Sequence, residues 1–145
     1  MGTSTTHPTE PVSLPAYIPT SGENATETVS TIRNGLPAEA FEWLKDRLGL
    51  SADELASLVH VSSRTMTRRK RQGRLKPDES ERVLRLIRLF QSAADVLGGP
   101  EEARDWLQEK NHALGGETPL QFADTEPGAR RVRRLLGQIE HGIIT

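Results

Sequence analysis

The sequence predicts an all-α protein in which a helix-turn-helix domain is joined, through one long helix, to a small helical C-terminal domain. Three observations carry that prediction. Residues 51–76 read as a capped helix, a tight turn at Val59–Ser62 and a second helix rich in Arg and Lys. Apolar residues on either side recur at helical spacing. The breaks between those runs fall at Gly, Pro, Ser and Thr of the kinds that start and stop helices.

Composition sets the bounds. A chain of 145 residues makes one domain or two very small ones. With 34% hydrophobic and 4% aromatic residues, its core is modest and built from Leu, Val and Ile. Zero cysteines exclude a disulfide framework and a thiolate zinc site. The four histidines (His7, His60, His112 and His141) include no i, i+4 pair, so neither a metal site nor a cofactor is expected. No apolar run approaches the ~20 residues of a membrane span, and the N-terminus lacks the basic and apolar regions of a signal peptide. The expected setting is the cytoplasm, with no membrane partner.

Residues 1–31 hold twelve Ser or Thr and four Pro, with three acids and no base. Such a stretch buries too little apolar surface to offset the entropy of ordering, so residues 1–35 read as a disordered tail. Tyr17 and Ile18 are its one pair suited to docking. Order is expected from Pro37, where Phe41, Leu44 and Leu48 recur at helical spacing and Gly49 closes the helix.

Ser51 and Glu54 form a capping box that opens the first helix of the motif. Leu55, Val59, Val61 and Met66 supply its apolar contacts, with small Ala56 where the two helices approach. Two positions depart from the usual twenty-residue pattern over Ala52–Arg71. His60 stands where Gly is usual, a site favouring a left-handed backbone that His tolerates better than a β-branched residue. Arg69 stands where a buried apolar residue is usual, so either its stem snorkels or the helix ends early.

Ser62 is the expected N-cap of the second helix. Residues 56–76 carry seven Lys or Arg and no acid, whereas residues 1–55 carry three bases against eight acids and residues 77–145 nine against twelve. A chain of net charge −1 thus concentrates its positive charge in one segment, the footprint of a nucleic-acid reader. Ser62, Ser63, Arg64, Thr67, Arg68, Arg71, Arg74 and Lys76 are the candidate DNA contacts. Arg64 and Arg68, one turn apart, are placed to present guanidinium forks to guanine edges. Arg71, Arg74 and Lys76, with Lys70, suit phosphate anchoring.

Pro77, Asp78 and Glu79 open a helix expected to run to Leu97 and stop at Gly98–Gly99. Val83, Leu86, Ile87, Phe90, Ala93, Ala94 and Leu97 give it an apolar face, with Arg82, Arg85 and Arg88 opposite. That face serves the core alone or also a second subunit; both readings are open. A short helix over Glu101–Lys110 buries Ala103, Trp106 and Leu107. After a turn at Gly115–Gly116, Thr118 and Gln121 form a second capping box with Pro119 at the first helical position. Thr125 caps a last helix whose stripe is Ala129, Val132, Leu135, Leu136 and Ile139, flanked by four arginines.

The segment LGGETPLQFADTEPGARRVRRLLGQIEHG resembles the C-terminal toxin-binding domain of Xre/MbcA/ParS-type antitoxins. There an L-G-G-x-x-P-L turn and helix precede D-T-x-x-G-x-x-x-V-x-x-x-L-G-x-I-x-H-G. Leu114, Gly115, Gly116, Pro119, Leu120, Asp124, Thr125, Gly128, Val132, Leu136, Gly137, Ile139, His141 and Gly142 match as they stand. The stretch GRLKPDESERVLRL is similar to the family's linker into its long helix. The resemblance spans residues 36–145 and divides them into a DNA-binding domain, 36–98, and a toxin-binding domain, 99–145.

It implies an antitoxin of a bacterial type II system: a homodimer that binds an inverted repeat of double-stranded operator DNA and sequesters a cognate toxin. Partner toxins of this family are typically of the RES class, which degrades NAD, or related ADP-ribosyltransferase-like folds. Arg131, Arg134, Glu140, His141, Gly142, Ile143, Ile144 and Thr145 are the candidate toxin contacts, with the last helix or tail expected to occlude the toxin's NAD pocket. The alternative is a stand-alone transcriptional regulator whose C-terminal region only dimerises or senses a ligand. An enzyme is not expected: there is no Cys, no Gly-rich phosphate loop and no carboxylate pair, and no motif supplies a nucleophile to Asp124 or His141.

Overall fold

Caps and apolar stripes translate into eight α-helices among residues 12–19 and 25–142, the part of the chain that the computed structural model describes. They are α1 (Ala25–Asn34), α2 (Glu39–Leu48), α3 (Ala52–Leu58), α4 (Ser63–Gln72), α5 (Pro77–Leu97), α6 (Pro100–Leu107), α7 (Pro119–Phe122) and α8 (Glu126–Glu140), with one 3₁₀ turn at His112–Leu114. No strand occurs among the described residues; one isolated antiparallel bridge joins Pro37 to Arg74. The expected all-α architecture, with a helix-turn-helix followed by a helical C-terminal region, is the one observed.

Helix α5 is the axis. Its 21 residues begin with Pro77 and two acids in the first turn, as the dipole favours, and end at Gly98. The apolar face read from the sequence is buried except at half-buried Leu97, and Leu84 and Leu89 are buried too. Helices α1, α2, α6 and α8 all pack against it, so it is wrapped rather than amphipathic. Arg82, Arg85 and Arg88 therefore do not form an open solvent face. Each is half-buried, and Arg88 donates from Nη2 to Thr28 Oγ1 at 2.9 Å while Arg85 reaches across to Glu126 at 3.1 Å. One continuous apolar core runs from Ile18 to Leu136, shared by both halves of the chain.

Helix α1 corrects the disordered reading of residues 1–35 over part of its length. Its Thr-rich sequence has little helix propensity and buries no residue fully. It is held from outside: Ile32 packs on the core, Thr28 accepts from Arg88, and the chain behind it is clamped. There Leu36 N–H donates to the buried Ser80 hydroxyl at 2.8 Å, Leu75 N–H donates to Leu36 C=O at 2.9 Å, and Ala38 N–H donates to Gly73 C=O at 3.0 Å. Gly35 is needed at this clamp, because a Cβ would lie 2.3 Å from the Leu75 carbonyl oxygen. Upstream, Ile18 is buried and Tyr17 half-buried, as the docking pair requires.

Two smaller differences concern α6. It ends at Leu107 rather than Lys110, because Gln108 leaves the helical conformation and its Nε2 donates to Leu48 C=O at 2.6 Å. Trp106 is half-buried, with Ala103 and Leu107 filling the interior beneath it.

Candidate nucleic-acid and partner interfaces

The head of the molecule is built by its caps. Ser51 accepts from Glu54 N–H at 3.1 Å while the Glu54 carboxylate accepts from Ser51 N–H at 2.8 Å, and these bonds hold that carboxyl below its ordinary value. After α3 the chain turns through His60, whose φ of 57° is the single positive value among the described non-glycine residues. Two contacts fix this turn from below: Arg82 donates to Val59 C=O at 3.3 Å, and His60 Nε2 lies 3.3 Å from the Asp124 carboxylate. Ser62 then caps α4 by accepting from Thr65 N–H at 3.1 Å.

At 100° per residue, Arg64, Thr67, Arg68 and Arg71 share one face of α4, and all four are exposed. Among the described residues no carboxylate pairs with Arg64, Arg68 or Arg71. Ser63 and Lys76 are exposed beside them, but the Ser63 hydroxyl donates to the Asp53 carboxylate, which sets an acid next to the α4 N-terminus. Arg74, exposed like its neighbours, is also a strut: its Nη1 donates to Gly35 C=O at 2.6 Å and Asn34 C=O at 3.3 Å, tying α1 to the end of α4. Lys70 is paired with Glu42.

Arg69 answers the question that its apolar position raises. It neither snorkels nor ends the helix, which continues to Gln72. Its Nε and Nη2 donate to the two oxygens of Glu79 at 2.7 and 2.9 Å, a bidentate pair with side chains only 5% and 7% exposed. Burial alone would raise the Glu79 carboxyl; Arg69 and the backbone N–H of Lys76 outweigh it and hold it below its ordinary value of 4.5. The pair bolts α4 to α5 and so sets the angle at which the basic face is presented.

The C-terminal motif is placed just as locally. Thr118 and Gln121 exchange side-chain-to-backbone bonds at 3.0 and 3.1 Å, starting α7. Leu114, Leu120, Val132 and Leu136 are core. Thr125 accepts from Gly128 N–H at 3.2 Å, and a Cβ on Gly128 would lie 1.7 Å from the Phe122 carbonyl oxygen, so α8 rests its first turn directly on the end of α7. Arg131 joins Gln121, Phe122, Thr125 and Pro127 around a groove of about 510 Å³.

Arg130, Arg134 and His141 are exposed on one face of α8 that also carries half-buried Gly137, whereas Glu140 projects off it. Gly142 has a φ of 69°, and Ile143, Ile144 and Thr145 lie outside the described residues. Gly137 stands out on this face. Nothing lies within 4 Å of where its Cβ would be, so packing inside the chain gives no reason for a glycine in mid-helix.

Comparison with known proteins agrees with this geometry. The chain matches the antitoxin Xre-like helix-turn-helix domain over residues 27–88 and the antitoxin Xre/MbcA/ParS C-terminal toxin-binding domain over residues 92–142. It is 34% identical over 149 aligned residues to the antitoxin Xre of Yersinia enterocolitica, covering 90% of this chain and 99% of that one. The chain belongs to the Xre antitoxin family. The antitoxin Xre of Photorhabdus laumondii is 30% identical, with 79% of this chain and 78% of that one covered. The fold also matches one chain of the Mycobacterium tuberculosis MbcT–MbcA toxin–antitoxin complex, with a TM-score of 0.57, 24% identity, and 74% of this chain and 96% of that chain covered. Among the described residues of this family member no helix is long and apolar enough to cross a membrane.

Three residues with evident roles escape a reading of motifs. Glu79 completes Arg69, Asp53 engages Ser63, and Arg82 braces the turn. Only Glu79 had a signal in the sequence, namely a charge at an apolar position of α4 that required a partner.

Proposed function

We propose that this protein is an antitoxin that captures a cognate toxin through its C-terminal region and represses its own operon through α4. The toxin is of the RES class that degrades NAD, the working unit is a homodimer on an inverted repeat of operator DNA, and the setting is the cytoplasm. The protein itself is no enzyme; it acts by occupying surfaces. Full-length similarity to antitoxins, with a toxin-binding domain matched over residues 92–142, carries the capture half of this reading. The groove at Arg131 and the face bearing Arg134, Gly137 and His141 are the contact surfaces, continued by Gly142–Thr145. Domain limits of 36–98 and 99–145 assign the two tasks.

The DNA half rests on the unpaired, exposed arginines of α4. Arg64 and Arg68 read bases; Ser62, Ser63, Thr67, Arg71, Arg74 and Lys76 contact the backbone, with Arg74 acting also as a strut. Arg64→Ala or Arg68→Ala is expected to lose about 1–3 kcal/mol of operator binding and to relax its sequence preference. Lys76→Ala is expected to weaken every sequence alike and flatten the salt dependence. A salt slope unchanged in all three variants refutes the assignment.

Capture is tested by expressing the neighbouring reading frame alone and together with this chain, following growth. Arrest relieved by co-expression supports the antitoxin reading. A harmless neighbour, or arrest that persists, favours the alternative: a regulator whose C-terminal region dimerises or senses a ligand. Deleting Gly142–Thr145 is expected to weaken rescue without loss of helicity.

A further inference from the structure

Helices α1, α5 and α8 enclose a groove of about 310 Å³ that neither the α4 face nor the α8 face uses. Its walls are apolar at Ile32 and Leu84, and its floor gathers three guanidiniums, from Arg85, Arg88 and Arg133. Only two of these have a carboxylate partner, and they share one. The Glu126 carboxylate sits between Arg85 and Arg133, at 3.1 and 2.9 Å, and Glu81 at the rim is the one other acid lining the groove.

Arg88 is the exception. Its Nη2 is held by the neutral Thr28 hydroxyl, and among the described residues no carboxylate pairs with it. Its Nε is buried and has no hydrogen-bond partner. Burial first, and the like charge of Arg133 second, push this guanidinium below its ordinary value. Folded proteins seldom leave a buried charged donor empty unless something outside the chain fills it.

We propose that this groove binds an oxyanion of the phosphate class, held by Arg88 with Arg85 and Arg133. A second carboxylate suits the place less well. One carboxylate already bridges two of the arginines, and the three guanidiniums come from two helices, Arg85 and Arg88 from α5 and Arg133 from α8. A tetrahedral anion offers acceptors in more directions than a planar one. The volume and the Ile32–Leu84 wall leave space for a small body on the phosphate.

The test is a titration of the full-length chain with inorganic phosphate at constant ionic strength, following the arginine side-chain N–H signals by NMR. Arg88 Nε–H is expected to move saturably through the millimolar range, and chloride is expected not to move it. Arg133→Gln, which leaves the Thr28 anchor intact, is expected to weaken binding about tenfold, the equivalent of one charge-assisted contact. In Arg88→Lys, phosphate is expected to raise the melting temperature no more than chloride does. Each of three results overturns the proposal: no saturable movement of Arg88; a shift that follows ionic strength alone; or a wild-type titration in Arg133→Gln. Movement with duplex DNA but not with phosphate also overturns it, since the groove would then hold a polymer backbone rather than a small phosphate.

Discussion

Replacing Arg69 with Ala strands the Glu79 carboxylate between α4 and α5. That carboxylate keeps its bond from Lys76 N–H at 2.9 Å but loses both guanidinium donors, in a place where its side chain is 7% exposed. Breaking a buried ion pair by removing one partner costs about 3–5 kcal/mol. For a chain of this size that lowers the melting temperature by about 6–20 °C. Replacing both partners together, Arg69→Met with Glu79→Leu, leaves no orphaned charge and is expected within about 1 kcal/mol of wild type.

Urea unfolding followed by circular dichroism measures all three variants, and pH adds a signature. In the wild type the Glu79 carboxyl lies below 4.5, so its stabilisation is complete above that value and is lost as pH falls through the folded value. Without Arg69, burial raises the same group, so it stabilises at low pH and is destabilising once ionised. The Arg69→Ala deficit is therefore expected to be widest near neutrality and to narrow in acid. A loss below about 1 kcal/mol, or a double variant as unstable as the single one, refutes this account of the pair.

Three further outcomes are expected. Gly128→Ala drives a Cβ into the Phe122 carbonyl and is expected to lose about 3 kcal/mol or more, whereas Gly137→Ala meets nothing and is expected to gain about 0.5–1 kcal/mol, both read by chemical denaturation. If the α8 face docks the toxin closely at Gly137, the stabilised Gly137→Ala chain will still neutralise less well in the growth assay. The Glu79 and Glu126 carboxyls both lie below 4.5, so thermal stability is expected to hold down to that pH and fall beneath it as they protonate; a plateau continuing well below it contradicts the assignment. His60→Val places a β-branched residue at a φ of 57° and is expected to cost about 1–2 kcal/mol, while His60→Gly, which removes the strain and one half-exposed pair, is expected near neutral.

Much of this architecture is local and therefore legible in the chain. Ser51, Ser62, Thr118 and Thr125 start helices because their hydroxyls satisfy backbone donors three residues on, and each does so in the structure. The stripes of α2, α5 and α8 are likewise set by neighbours in sequence. What the sequence left open was long-range. Helix α1 forms from weak helix formers because Arg88, sixty residues away, and the clamp at Leu36 hold it in place. Arg69 looked like a flaw until Glu79 on another helix met it, and Arg88 and Arg85, read as lying opposite the apolar face of α5, are half-buried where α1 and α8 lie over them. Backbone capping fixes where helices begin; which charges end up paired, and which are left without a carboxylate partner, is decided only when the helices pack.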